Sequence, residues 1–163
     1  MRSEFVDRKV GETWERGPKV IDLNGAYTHN VDAKGRLTLP AKFRKAIPSD
    51  ELVATINPLN ECLYVFGSSE DFNDWVKSFF EHDGGFNSKN LQHVAAQRAL
   101  KERAMDVTVD SAGRINLPSA LCAAVGITRE VTIIGNTGYF EIWDAKRREE
   151  AKAAFDLADI LFG

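Results

Sequence analysis

The chain has 163 residues, of which 44% are hydrophobic and 28% are charged, a balance typical of water-soluble globular proteins. No apolar run approaches the roughly 18 to 20 residues of a membrane-spanning helix, and the charged N-terminus lacks the apolar centre of a secretory signal. The two cysteines, Cys62 and Cys122, share no motif, which favours reduced thiols in a cytoplasmic protein.

Residues 1–22 contain five acidic side chains, five basic side chains, two glycines and few periodic apolar positions. This composition predicts a flexible N-terminal extension over residues 1–22, followed by one domain over residues 23–163. Trp14 stands among charges within the extension, so contact with a partner or another subunit is a second interpretation of this segment.

Strands and helices are then predicted in the same order twice. In the first half, "GAYTHNV", "RLTLP", "ELVATI" and "CLYVF" mix β-branched or aromatic residues with polar ones and predict four strands. In the second half, "MDVTV", "RINL", "EVTII" and "YFEIW" predict four more. A short helix is expected after the second strand of each half, at "AKFRKAI" and "SALCAAV", because Pro40 and Pro118 suit a first helical turn.

Longer helices are predicted after the fourth strand of each half. Ser68 and Asp71 have the spacing of an N-cap and its acid, and another helix is predicted from Ser88 to about Arg103. Asp144 is predicted to cap a final helix that packs through an apolar stripe. That stripe consists of Ala151, Ala154, Phe155, Ala158 and Leu161.

The two halves share a repeated segment. Residues 31–40 are "VDAKGRLTLP" and residues 109–118 are "VDSAGRINLP", with six of ten letters identical. An internal duplication explains this similarity and divides the domain into repeats over about 23–104 and 105–163. Each half alone has too little core to be stable. The predicted fold class is therefore α+β, with the two halves packed as one pseudo-twofold β-barrel with flanking helices.

Turn chemistry accounts for part of the repeat. Asp32 and Asp110 suit the first position of a type I turn. Gly35 and Gly113 suit the fourth position, because glycine accepts positive φ. Nothing in turn chemistry requires the arginine after each glycine, and an arginine at a strand start can bind phosphate or a guanine edge through its forked donors. The residues alone leave two interpretations open: an anion-binding site, or a pair of structural turns.

The net charge of −3 hides an uneven distribution. Between positions 34 and 45 there are five basic residues and no acid, and the local field matters more than net charge for a polyanion. The five are Lys34, Arg36, Lys42, Arg44 and Lys45.

Together these segments resemble the MraZ family of bacterial transcriptional regulators. The resemblance rests on "GAYTHNVDAKGRLTLPAKFR", "VDSAGRINLP" and "EVTIIGNTGYFEIWD", and it runs from about Gly25 to the final helix. It implies two halves similar to the AbrB swapped-hairpin fold, a ring of identical subunits, and binding of double-stranded DNA at short, repeated, G-containing boxes. In the family those boxes lie in the promoter of the cell-division and cell-wall gene cluster. The implied location is cytoplasmic and nucleoid-associated.

The resemblance also implies roles for individual residues. The turn-shaping residues are Asp32, Gly35, Asp110 and Gly113. The aspartates are not expected to face DNA, because phosphate repels a carboxylate. The principal DNA-facing side chains are those of Arg36 and Arg114, and Lys34 is a further DNA-binding residue. Charge and proximity, rather than the resemblance, add three candidates for further phosphate contacts, whose alternative role is a solvated helix face: Lys42, Arg44 and Lys45.

Two features depart from the family pattern. The second turn has Ala112 where many relatives have a polar or charged residue, and "SALCAAV", the helix after it, contains no arginine. We therefore expect the second turn to attract phosphate less strongly than the first. The chain also has about 22 residues before the strand at which family members usually begin. Because their charges balance, a basic DNA-binding arm is not expected there.

An enzyme is the main competing class. His29, His82 and His93 lack metal-ligand spacing, and the chain has no nucleophile elbow, phosphate-binding loop or dinucleotide fingerprint. We therefore expect no catalytic residues, metal site, cofactor, small-molecule substrate or membrane association. Two non-enzymatic classes compete as well: an antitoxin-like interaction protein of the AbrB fold and a purely structural ring protein. Two complete halves and a packed C-terminal helix argue against the antitoxin.

Overall fold

The N-terminal extension contains two strands that the sequence analysis did not predict. A computed structural model describes residues 5–10, 13–18 and 21–163. In it, β1 (Phe5–Val10) and β2 (Thr13–Pro18) pair with each other in antiparallel fashion. The predicted flexibility of the extension stays a prediction, as does a partner-contacting role for Trp14, and the other positions before Ile21 lie outside the described residues.

Eight further strands follow in the predicted order. The first half contributes β3 (Ala26–Asn30), β4 (Arg36–Thr38), β5 (Glu51–Ile56) and β6 (Leu63–Phe66). The second half contributes β7 (Met105–Thr108), β8 (Arg114–Asn116), β9 (Glu130–Gly135) and β10 (Tyr139–Asp144).

The helices accompany these strands as predicted, with one exception at the C-terminus. Ser68 accepts a hydrogen bond from the Asp71 N–H at 3.1 Å, and Asp144 accepts one from the Arg147 N–H at 3.0 Å, so both predicted caps are confirmed. In the described part of the chain the helices are α1 (Ala41–Ala46), α2 (Ser69–Ser78), a short 3-10 helix (Glu81–Asp83), α3 (Leu91–Glu102), α4 (Ser119–Val125), α5 (Ala145–Ala153) and α6 (Leu157–Phe162).

The two halves exchange strands. Six strands form one antiparallel sheet in the order β3-β9-β10-β6-β5-β7, so the first strand of each half pairs with the third strand of the other half. The second strands, β4 and β8, pair with each other in a separate two-stranded sheet. Interchanging the halves leaves both pairings unchanged. The strand order therefore has the pseudo-twofold relation that the sequence repeat predicted.

One hydrophobic core joins the two sheets. Leu37 of β4 and Ile115 of β8 are completely buried, in the same cluster as Ile133 and Ile142 of the six-stranded sheet. Phe43 of α1 belongs to this cluster as well. Because both halves contribute to it, each half relies on the other to remove its apolar surface from water. The fold therefore belongs to the mixed α+β class, as predicted.

The C-terminal helix differs from its prediction. The expected single helix is two, because α5 ends at Ala153 and the Asp156 side chain caps α6 by accepting from the N–H of Ala158 at 2.9 Å. The expected apolar stripe is not packed: Phe155 is 46% exposed and Leu161 is 62% exposed. Helical spacing indicates which side chains share a face, but no described element covers this one.

Candidate nucleic-acid interface

Two turns of the same design connect β3 to β4 and β7 to β8. In the first turn (residues 32–36), the Gly35 N–H donates to the Asp32 carbonyl oxygen at 3.0 Å, and the Asp32 N–H donates to the Arg36 carbonyl oxygen at 2.9 Å. The second turn (residues 110–114) repeats these bonds at 3.0 and 2.8 Å. The glycine φ angles are +81° and +77°, in the region where other residues are strained.

The aspartate side chain also closes each turn. Asp32 Oδ1 accepts from the N–H groups of Lys34 and Arg36 at 2.9 and 2.8 Å. Asp110 does the same in the second turn, at 2.9 and 3.0 Å. The hydrogen bond from the arginine backbone is the main reason that the pKa of each carboxyl lies below its ordinary value. Both carboxylates are therefore ionised at neutral pH.

The arginine of each turn is held by the same aspartate. Arg36 Nε donates to Asp32 Oδ2 at 2.7 Å, and Arg114 Nε donates to Asp110 Oδ2 at 3.0 Å. The repeated arginine thus has a local structural role that sequence reasoning overlooked. In the region that the structure describes, the two terminal nitrogens of each guanidinium group have no protein hydrogen-bond partner. Each arginine side chain is 34% exposed, so these nitrogens are the donors that remain for a ligand.

The two arginines lie on one outward surface. β4 and β8 pair so that Leu37 lies directly opposite Ile115. Both of these side chains are completely buried, so the residues on either side of them in each strand point outwards. Arg36 and Arg114 are therefore diagonal neighbours, and such neighbours lie about 7–8 Å apart in antiparallel pairs. We call this surface, formed by Arg36, Thr38, Arg114 and Asn116, the arginine face.

Each turn is joined to the other half of the molecule. The N–H of Leu39, just before α1, donates to the Gly113 carbonyl oxygen at 3.0 Å. The N–H of Leu117, just before α4, donates to the Gly35 carbonyl oxygen at 2.8 Å. The short helix that follows one turn in the sequence therefore begins beside the other turn in space.

This crossing places α1, with its basic residues, next to the second turn. Lys42 and Lys45 are exposed on α1, and Arg44 Nη1 lies 3.1 Å from Asp50 Oδ1. The Arg44 methylenes pack beside Gly113, where a Cβ atom would stand 3.9 Å from Arg44 Cγ and Cδ. The helix that follows the second turn in the sequence, α4, contains no arginine, but the basic helix α1 lies beside this turn in space. The weaker phosphate attraction expected for this turn stays a prediction.

The first turn has an open groove where the second turn has Arg44. A cavity of about 780 Å³ separates the first turn from α4 and is lined there by Ser119, Cys122 and Ala123. Arg44 and Cys122 occupy matching places in the two repeats, 78 positions apart. Burial raises the pKa of the Cys122 thiol, so this side of the groove is uncharged at neutral pH.

Two histidines are engaged in hydrogen bonds within the fold. His29 Nδ1 lies 2.8 Å from the Thr38 carbonyl oxygen. His93 accepts from the Asn87 N–H at 3.0 Å through Nδ1, and its Nε2 lies 2.8 Å from Asp83 Oδ2. Among the described residues, no cluster of three or more histidine, cysteine, aspartate or glutamate side chains could hold a metal ion. No helix in the same residues has the length and apolarity to cross a membrane.

A family model and individual known proteins both relate this chain to the same family. A family model described as "MraZ protein, putative antitoxin-like" matches residues 23–84 and 101–156. A protein of Herminiimonas arsenicoxydans named transcriptional regulator MraZ is 34% identical over 151 residues, which cover 85% of this chain and 96% of that protein. Proteins of the same name from Janthinobacterium sp. (strain Marseille) and Limosilactobacillus fermentum are 35% and 33% identical, over 81% of this chain in both cases and over 89% and 90% of their own lengths.

Proposed function

This chain belongs to the MraZ family of transcriptional regulators, and we propose that it binds double-stranded DNA through the arginine face and the two turns beside it. In this proposal Arg36 and Arg114 contact DNA, together with Lys34 of the first turn. Asp32 and Asp110 hold the arginines in position and do not touch the nucleic acid, since phosphate repels a carboxylate.

The observation that carries the proposal is the way the two arginines are held. Each Nε is bound by an aspartate of its own turn, which sets the direction of the guanidinium fork before any ligand arrives. The terminal nitrogens of a guanidinium group bind phosphate or the O6 and N7 atoms of guanine. Because the side chain is ordered in advance, less conformational entropy is lost on binding.

We propose further that the chain assembles into a ring that binds short, repeated, G-containing boxes. One subunit neutralises only a few phosphates, so its own affinity is expected to be weak and salt-sensitive. Several linked subunits raise the effective concentration of each site. Leu157, Ile160 and Leu161 of α6 support self-association. They are 60%, 66% and 62% exposed at helical spacing, and soluble monomers rarely leave a large contiguous apolar patch in water.

The remaining parts of the proposal come from the family resemblance. The boxes lie in the promoter of the cell-division and cell-wall gene cluster, and the protein is cytoplasmic and nucleoid-associated. The two sheets close around the shared core as a barrel, and residues 23–163 form one domain of two repeats. The protein has no enzymatic activity and requires no cofactor.

The test is a gel shift on the DNA upstream of the protein's own gene, at a single salt concentration. Arg36→Ala is expected to abolish most of the binding while the circular dichroism spectrum stays unchanged, and Arg114→Ala is expected to weaken binding less. Arg98→Ala, which removes an exposed arginine of α3, serves as the matched control and should bind like the wild type. An Arg36→Ala variant that shifts the fragment as well as the wild type would overturn the proposal.

Binding to a partner protein is a second candidate function. The antitoxin-like description of the family model suggests it, and the exposed apolar residues of α6 favour it. The packed C-terminal helix that was expected to argue against it is not present, because α6 is exposed. Deleting residues 155–163 separates the two functions. Loss of self-association together with DNA affinity supports the ring, whereas an unchanged mass and unchanged DNA affinity show that α6 serves neither the ring nor DNA binding.

A further inference from the structure

We infer that each turn takes an additional DNA-binding cation from the opposite half of the molecule: Arg44 serves the second turn and Arg129 serves the first. The inference rests on the proposed function and names further phosphate-contacting residues for it. Arg129 is new in this role, because nothing in its sequence context relates it to the Asp-x-x-Gly-Arg motif.

The position of Arg44 supports the first part. Its methylenes lie against Gly113 of the second turn, and its guanidinium group is paired with Asp50 at 3.1 Å. The Asp50 side chain is 60% exposed. An ion pair with an exposed partner contributes little stability, and the guanidinium group there already binds a carboxylate, an oxyanion like a DNA phosphate.

A pair of matching hydrogen bonds supports the second part. The Val31 N–H, just before the first turn, donates to the Arg129 carbonyl oxygen at 2.8 Å, and the Val109 N–H, just before the second turn, donates to the Asp50 carbonyl oxygen at 2.8 Å. Arg129 and Asp50 therefore occupy equivalent places in the two halves. Arg129 is exposed and lines, with residues 30–33, a surface cavity of about 480 Å³ beside the first turn.

The exchange gives each turn a cation from the other half. The first turn has Lys34 of its own and Arg129 beside it. The second turn has Ala112 in place of the lysine, but α1 brings Arg44 to it. Phosphate contacts position a protein on the duplex and base contacts specify the sequence. We therefore expect Arg44 and Arg129 to set affinity and salt dependence, with little effect on the preferred box.

Double-mutant cycles on the full chain test this arrangement. Binding to a promoter fragment with several boxes is followed by fluorescence anisotropy over a range of salt concentrations. Arg44→Ala should couple with Arg114→Ala and be additive with Arg36→Ala, because residues that share a ligand group couple and separate ones do not. Arg129→Ala should couple with Arg36→Ala and be additive with Arg114→Ala. Coupling of Arg44 with Arg36, or additivity in every cycle, would overturn the inference.

Salt dependence gives a second measure. Each single variant should reduce the magnitude of the slope of log binding constant against log salt by about 0.9 for every subunit bound to the DNA, the value for one phosphate contact. Cys122→Arg should raise it by a similar amount, because it places a cation in the open groove at the repeat position of Arg44. Arg98→Ala on α3 should leave the slope unchanged.

Two variants separate a DNA contact from a structural role of Arg44. Arg44→Lys keeps the charge and should retain most of the wild-type slope. Asp50→Asn breaks the ion pair but keeps the cation, so it should bind at least as well as the wild type. If Asp50→Asn weakens binding as much as Arg44→Ala, Arg44 acts through the fold and the inference is wrong.

The outcome for the wild type distinguishes this inference from the proposed function. If the wild-type protein shows no salt-dependent binding to the promoter fragment, the proposed function fails. If the wild type binds but the Arg44 and Arg129 variants keep its slope, the arginine face binds DNA without these cations and only this inference fails.

Discussion

Arg44 in α1 and Gly113 in the second turn lie beside each other across the boundary between the two halves, and a Cβ atom added at Gly113 would stand 3.9 Å from Arg44 Cγ and Cδ. The matching glycine, Gly35, meets different atoms. Its Cβ position lies 3.2 Å from Asn116 Oδ1 and 3.4 Å from the Leu117 carbonyl oxygen. The duplication therefore produced two turns with the same backbone in different surroundings.

This difference predicts unequal costs for the same substitution. Gly113→Ala should lower the free energy of unfolding by about 1–2 kcal/mol, the cost of a side chain in the left-handed region. Gly35→Ala should cost more, because the new methyl group also crowds Asn116 and the backbone of Leu117. Urea denaturation of both variants measures the difference. Equal losses, or a larger loss for Gly113→Ala, would contradict it.

A buried acid predicts how stability changes with pH. Asp71 is 7% exposed, and among the described residues its Oδ2 has no hydrogen-bond partner. Burial raises its pKa from 3.8 to about 6. Because the folded state favours the protonated acid, the stability that the protonated Asp71 side chain contributes is fully present below about pH 4. It is lost as the pH rises to about 6, and the loss approaches 3 kcal/mol in order of magnitude, about 1.4 kcal/mol for each pH unit.

Asp71→Asn should therefore stabilise the protein at pH 7.5 and change its stability little at pH 4. Comparison of the variant with the wild type at each pH removes the contributions of all other titrating groups. Thermal unfolding at the two pH values measures the effect. A variant that is no more stable than the wild type at pH 7.5 would show that burial of the Asp71 charge costs little.

The exposed face of α6 predicts an effect on assembly. Ile160→Asp and Leu161→Asp each place a charge among apolar side chains and should shift the protein towards smaller assemblies, because burying an unpaired charge is costly. Light scattering coupled to size-exclusion chromatography measures the mass. Lys152→Asp, on the exposed surface of α5, is the matched control and should keep the wild-type mass. The proposed role of α6 is wrong if the α6 variants also keep that mass.

Multivalent binding predicts a strong dependence on the number of boxes. Reducing the promoter fragment to a single box should weaken binding by about 10²–10⁴-fold, the usual gain from linking sites. Scrambling the extra boxes at constant fragment length controls for nonspecific contacts. Equal affinity for one box and for several would rule out a ring that contacts adjacent boxes together.

Residue types and their spacing were sufficient to predict the eight strands of the repeats and the two turns, but not β1 and β2 or the break between α5 and α6. The turn at Asp32 and Gly35 depends on hydrogen bonds among residues within five positions of one another, so turn chemistry specifies it. The same holds for the caps at Ser68 and Asp144. The duplication was also visible, because both copies keep the residues that the turn requires. Even here the bond from Arg36 Nε to Asp32 was missed, since a side chain's partner is not encoded by turn type.

Which parts of the chain meet became known only from the three-dimensional fold. Arg44 is beside the second turn because the halves exchange strands, and strand exchange depends on pairings between residues far apart in the chain. No local pattern reveals those pairings, and so none pointed to Arg129 beside the first turn. The same reason explains the error at α6. Apolar spacing showed which side chains share a face, but whether a face is covered depends on where the rest of the chain packs.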